Sequence, residues 1–166
     1  MAVKTKELEV FKDYIFKDWN GGKVTLSSIF GGKEDLILIH NMGRSCPMCT
    51  MWADGFNGVV HHLEDRAAFA VISPDPPAAQ KKFAQGRGWK FRMYSAHRTS
   101  FNREMGFETK DGDPEPGVSV FRKGDKGKVF RVAKSRFGTG DKFCIVWPLF
   151  DLLPGGSEGW SPKFKY

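Results

Sequence analysis

Apolar residues fall along this chain in short unbroken runs and in one long periodic stripe. Asp35-Leu36-Ile37-Leu38-Ile39-His40 and Ala68-Phe69-Ala70-Val71-Ile72-Ser73 are continuous apolar runs, the pattern of strands covered on both faces. Between them Trp52, Phe56, Val59, Val60 and Leu63 recur at helical spacing, which predicts an amphipathic helix with one buried stripe. Gly55 and Gly58 interrupt that helix at a cost of about 1 kcal/mol each relative to Ala, so packing must supply part of its stability. The second run closes in the turn Pro74-Asp75-Pro76-Pro77, and a helical segment follows to about Ala84. Together these make a strand-helix-strand unit with a right-handed crossover.

Weaker patterns flank this unit. Tyr14-Ile15-Phe16, a turn at Asn20-Gly21-Gly22, and Val24-Thr25-Leu26 read as a short hairpin within an N-terminal extension spanning residues 1–33. Lys90 to Ser95 suits another strand and Arg98 to Met105 a short helix. Gly117 to Phe121 and Lys128 to Ala133, joined through Lys123-Gly124-Asp125-Lys126-Gly127, read as an antiparallel hairpin. Asp141 is placed to cap a final helix carrying Phe143, Val146, Leu149, Phe150 and Leu153, which Pro148 should kink or divide. From Pro154 to Tyr166 the chain reads as irregular surface, with residues 155–166 as a tail. The order of elements predicts an α/β fold with a mixed sheet.

Composition narrows the class. With 166 residues, 40% of them hydrophobic, the chain suits a single domain over 1–166 with a sizeable core. No apolar run approaches the roughly 18 residues of a membrane helix, and the first ten residues carry charges where a signal peptide is apolar, so a cytoplasmic location is expected. Lys and Arg total 26 against 19 Asp and Glu, a net charge of +7, which aids solubility and attracts acidic partners without naming one. Basic and aromatic residues interleave from Phe121 to Phe137; a hairpin with one solvated face accounts for this, and neither a nucleic-acid nor a membrane partner is expected.

Three cysteines are too few for a disulfide scaffold. Two of them form Cys46-Pro47-Met48-Cys49, between the first apolar run and the helical stripe, so both sit where a strand hands over to a helix. Unpaired N-H groups and the positive end of the helix dipole there favour a thiolate, the form that attacks disulfides. Cys46 is the expected nucleophile. Cys49, one turn on, is the expected resolving thiol, and Pro47 suits the first helical turn. The same spacing also serves zinc sites, but a closed site needs four ligands, and the adjacent pair His61 and His62 lies late on the helix.

With these elements in place the chain resembles the thioredoxin-like superfamily in its peroxiredoxin-related branch. It resembles more closely an uncharacterised bacterial family described as predicted dithiol-disulfide oxidoreductases. The matching stretches are Val24 to Lys33, the strand ending at His40, Cys46 to Asp54, Phe69 to Ser73, Gly88 to Phe91, Ser100 to Asn102 and Pro116 to Phe121. The resemblance implies a thioredoxin-like three-layer sandwich with a mixed central sheet. It implies a thiol-disulfide oxidoreductase acting on a disulfide-containing protein or small molecule, supplied by a thiol electron donor, with no metal or organic cofactor. It also implies a cis peptide at Pro116, the position of the superfamily's cis-proline, with Pro114 as the rival position, and a strand edge after Pro116 that helps to dock an extended substrate. Peroxiredoxins carry a threonine three residues and a proline seven before their attacking cysteine; relative to Cys46 those places hold Gly43 and Ile39, and relative to Cys49, Cys46 and Met42.

Two other functional readings stand beside this one: a thiol-dependent peroxidase of peroxiredoxin-like type, and a metal-binding or adaptor module using the same cysteines. His40, at the end of the central strand, is a candidate to relay the proton of Cys49, although a hydrogen-bonded core histidine explains it equally. Trp52 reads as core, and Cys144, among apolar residues, as packing.

Overall fold

The structure, a computed structural model, describes residues 7–166. Its framework is an eight-stranded mixed sheet in the order β1-β8-β7-β4-β5-β6-β2-β3. The strands are β1 (Leu8–Val10), β2 (Ile15–Lys17), β3 (Lys23–Thr25), β4 (Asp35–His40), β5 (Ala68–Ser73), β6 (Met93–Ser95), β7 (Gly117–Lys123) and β8 (Val129–Arg136). The helices are α1 (Leu26–Ile29), α2 (Pro47–Arg66), α3 (Pro77–Arg87), α4 (Phe101–Glu104) and α5 (Val146–Phe150).

The two continuous apolar runs became the central parallel pair. β4 and β5 pair from Leu36↔Ala68 to His40↔Ile72, and β5 continues in parallel to β6. Alternation along these strands fills two cores. Leu36, Leu38, Ala70 and Ile72 pack with Phe16, Leu26, Ile29 and Phe101 on the side of α1 and α4. Ile39, Phe69 and Val71 pack with Cys49, Trp52, Ala84 and Trp147 on the side of α2, α3 and α5. Each large apolar side chain so buried contributes about 2 kcal/mol. The three-layer sandwich is thus present, with the sheet in the middle.

The early hairpin forms as β2 and β3, Phe16 opposite Val24. It is more than an extension, since β2 also pairs with β6 through Lys17↔Ser95, which makes β3 one edge of the sheet. The other edge is β1, which pairs with β8 through Leu8↔Arg131 to Val10↔Val129.

Several expectations change. The helix stripe holds except for Val59, which is exposed. The strand anticipated over 90–95 shortens to β6, and the helix over 98–105 to α4. The final helix shrinks to α5: Asp141 accepts N-H groups from Gly138 and Phe143 and so closes a turn. Pro148 falls within the first turn of α5, where a missing N-H leaves no bond unmade, so nothing is kinked. The tail from Pro154 has no regular structure, yet it is not merely surface: Trp160 packs edge-on to Trp147 and Phe150, and Arg87 donates to the carbonyl of Phe164 at 2.7 Å. Finally, the 117–136 hairpin has no wholly solvated face. β7 lies between β4 and β8, and Arg131 of β8 is buried, donating to the carbonyl of Met105 at 2.6 Å.

Candidate active site

β4 ends at the C-terminal edge of the sheet, and the chain must turn sharply to start α2. Asn41 makes the turn possible. Its amide N-H is taken by the carbonyl of Ile72 at 2.9 Å, its side-chain oxygen accepts from Gly43 N at 2.8 Å, and its side-chain nitrogen reaches the Cys49 carbonyl at 3.3 Å. Gly43 has φ +109°, a conformation that side chains resist. The Gly43 carbonyl then accepts from Cys46 N at 3.1 Å, which delivers Cys46 to the helix start.

Cys46 is the N-cap of α2. Its sulfur accepts the backbone N-H of Cys49 at 3.1 Å, and Pro47 occupies the first helical position. A cysteine thus stands where Ser, Thr, Asp or Asn usually accepts an otherwise orphaned N-H. Thr50, itself buried, donates its hydroxyl to the Cys46 carbonyl at 3.0 Å and fixes the first turn.

The two sulfurs differ. Cys46 is half-buried, whereas Cys49 is 1% exposed. The Cys46 thiol is brought down from its ordinary value to about 7, chiefly by the Cys49 thiol donating to it; burial opposes this, and the N-H groups of Cys49 and Met48 assist. Cys49 is pushed upward, because its proton is engaged by Cys46, because it is buried, and because a Cys46 thiolate would repel a second charge. Met42 N lies 3.4 Å from the Cys49 sulfur and partly offsets that rise. The arrangement provides one thiolate near neutral pH and one held proton one turn behind it.

The other predicted residues are not brought to the sulfurs in the same way. His40 faces the opposite core. It stacks on Phe107 with ring centroids 3.8 Å apart, Asn102 lies 2.9 Å from its Nδ1 and the Ser119 hydroxyl 2.9 Å from its Nε2. The Asn102 side-chain oxygen can only accept, so Nδ1 carries the hydrogen and Nε2 accepts from Ser119. Burial above all disfavours the charged ring and drives its pKa down to about 3. With both nitrogens engaged and its ring across the sheet from Cys49, the bland alternative of a core histidine describes its position.

Pro116 directly precedes Gly117, which pairs with His40 and so lies beside the redox turn. Its peptide is trans, as are all those of the described residues, which corrects the cis expectation. The strand after Pro116 lies inside the sheet rather than at its edge. The Pro116 carbonyl accepts from Phe137 N at 3.0 Å, and β7 is hydrogen-bonded on both sides.

Trp52 is core, tilted against Phe137 at 5.2 Å. Cys144 is buried in the same cluster, its thiol pushed up by burial. Sequence reasoning passed over Asp75. Read there only as part of a Pro-rich turn, it accepts the backbone N-H of Arg44 at 2.8 Å.

The sheet is thioredoxin-like, with two cysteines at the start of the helix that follows its central strand. The model of the family described as "Bacterial protein of unknown function (DUF899)" matches residues 6–164, and the chain belongs to that family. No curated protein sequence matches the chain. Among solved structures, peroxidoxin BcpB from Mycobacterium tuberculosis is 20% identical, with 81% of this chain and 84% of that one covered and a TM-score of 0.58. Peroxiredoxin Q from Xanthomonas campestris is 19% identical over 75% of this chain and 80% of that one, TM-score 0.63. Reduced Prx3 from Vibrio vulnificus, in complex with hydrogen peroxide, is 14% identical over 87% and 97%, TM-score 0.63. These likenesses establish a shared fold.

Proposed function

We propose that this protein is a thiol-disulfide oxidoreductase in which Cys46 attacks and Cys49 resolves. The observation that carries the reading is the asymmetry of the pair: Cys46, half-exposed at the helix start, favours the thiolate, while Cys49 behind it keeps its proton. The Cys46 thiolate attacks one sulfur of a substrate disulfide, forming a mixed disulfide and expelling the first substrate thiolate. Loss of the Cys46 charge removes the repulsion that held the Cys49 proton. Cys49 then loses it and attacks the Cys46 sulfur, leaving an oxidised Cys46–Cys49 pair and a second reduced thiol. A thiol donor returns the pair to the dithiol. The substrate is a disulfide-containing protein or small molecule, and the reaction itself requires no metal or organic cofactor.

The test is reduction of insulin disulfides with dithiothreitol as donor. Activity should disappear in Cys46→Ser; unchanged turnover in that variant would sink the assignment.

The peroxiredoxin names of the solved relatives favour a second reading, thiol-dependent peroxide reduction. Gly43 and Ile39 stand where an attacking cysteine at position 46 would have its threonine and proline, which counts against it. Consumption of hydrogen peroxide coupled to dithiol oxidation, faster than insulin reduction, would establish this reading. Among the described residues no three His, Cys, Asp or Glu side chains converge as a metal site requires, so the metal-module reading rests on the two sulfurs alone.

A further inference from the structure

A buried polar network lies beneath the redox turn, and the chemistry above makes no use of it. Ser73, Gln80 and Ser95 are each 1% exposed or less. The Ser73 hydroxyl accepts from Gln80 Nε2 at 2.9 Å and from Asp75 N at 3.4 Å, and donates its one proton to Asp75 Oδ2 at 3.2 Å. Gln80 in turn accepts from Trp19 Nε1 at 3.1 Å, and the Ser95 hydroxyl donates to the Asp75 carbonyl at 2.6 Å. Such networks rigidify what they hold when every member is satisfied. This one holds Asp75.

Asp75 lies in the turn between β5 and α3, with Pro74 before it and Pro76 and Pro77 after it, so its backbone has little freedom. From there it reaches across to the chain leaving β4. Its Oδ2 accepts the Arg44 backbone N-H at 2.8 Å, and its Oδ1 lies 3.8 Å from the Arg44 Nε. Its carboxylate also packs so closely on Gly43 that an added Cβ would stand 3.0 Å from Oδ2. Gly43 is the residue whose carbonyl receives the Cys46 amide.

We propose that Asp75 is a positioning residue for the Cys46 nucleophile, clamping the Gly43–Arg44 peptide so that the turn delivers the Cys46 sulfur to the N-H groups at the start of α2. This rests on the reading of Cys46 as a nucleophile. The clamp joins the C-terminal ends of β4, β5 and β6, and its working part is the acceptor oxygen. The thiol loses its N-H partner when the turn relaxes, because Cys46 can cap the helix only from one backbone position.

The clamp predicts different outcomes for the loss of the acceptor and the loss of the charge. In the full-length chain, iodoacetamide alkylation of Cys46 is followed against pH, with the modified site identified by mass spectrometry. Asp75→Ala should slow alkylation at pH 7 about fivefold, the change in thiolate fraction when a midpoint near 7 rises by about one pH unit. Asp75→Asn keeps an oxygen for Arg44 N and should stay within about twofold of the parent rate. If Asp75→Ala does not fold, Asp75→Glu, which keeps the charge and displaces the acceptor by a methylene, carries the same expected slowing.

A variant that melts at lower temperature yet alkylates with the parent's rate and midpoint would reduce Asp75 to a structural residue and overturn the proposal. Equal slowing in Asp75→Asn and Asp75→Ala would overturn it too, by assigning the effect to charge. If Cys46 in the parent reacts no faster at pH 7 than an ordinary thiol, the oxidoreductase reading fails instead, and the two failures are distinguishable.

Discussion

Titratable chemistry lies on both faces of the sheet near the end of β4, and the two faces treat it in opposite ways. On the α2 side, Cys46 and Cys49 share one hydrogen bond and divide their acidities. On the α4 side, His40 lies sealed between Phe101 and Phe107 with both ring nitrogens engaged, and is fixed in its neutral form. Both sites are close to the same strand end. What separates them is donors aimed at a partly exposed atom on one side and full desolvation on the other. Nearness to the redox turn in sequence therefore does not make a residue part of it.

The largest effect that sharpens this contrast is expected at Cys49. Cys49→Ser keeps the attacking thiol and removes the resolving one, so a mixed disulfide at Cys46 should accumulate and insulin reduction should fall by about a hundredfold or more. Mass spectrometry of the trapped adduct checks it.

On the other face, His40→Leu deletes two buried hydrogen bonds and leaves Asn102 and Ser119 unpartnered. A loss of about 3 kcal/mol in urea unfolding is expected, with the Cys46 alkylation midpoint unmoved. A shifted midpoint would couple the faces and break the comparison.

The pH dependence follows the same division. The His40 pKa is lowered in the fold relative to the unfolded chain, so its contribution to stability is fully present above about pH 6.5. As pH falls toward 3, the unfolded chain takes up a proton that the native one refuses. Stability should then decline by about 1.4 kcal/mol per pH unit from this group, and His40→Leu should remove that part of the slope. The Cys46 alkylation rate, by contrast, should rise through a midpoint near 7.

The smallest effect is expected from Thr50→Val, which removes the hydroxyl bond to the Cys46 carbonyl. It should cost about 1 kcal/mol in unfolding and leave alkylation within about twofold.

The elements that position the sulfurs were legible because their signals are local. β4 and β5 carry unbroken apolar runs, α2 carries a periodic stripe, and the cysteine pair marks the junction. The partners of His40 were not legible: Asn102 and Ser119 stand 62 and 79 positions away, and no spacing announces them. β1 was missed because three residues at an edge are specified by β8 rather than by a pattern of their own. The final helix was overread because Phe143, Leu149 and Leu153 mimic a stripe, whereas Asp141 and the residues around it close turns. Asp75 was seen as a turn former, its proline-bounded setting giving no hint that its carboxylate reaches Arg44 in the chain leaving β4.

The sheet order has a consequence for synthesis. β4 is paired on one side by β5, made soon after it, and on the other by β7, whose residues 117–123 follow some 80 positions later. Val118, Phe137 and Trp147, which share a core cluster with Cys49, emerge later still than the redox turn itself. A chain leaving the ribosome therefore carries both thiols through a long interval before its central strand is flanked, and pairings of such high sequence separation slow folding. The pairing of Cys46 with Cys49 at the start of α2 is local, whereas the burial of Cys49 against Val118, Phe137 and Trp147 waits for the last third of the chain.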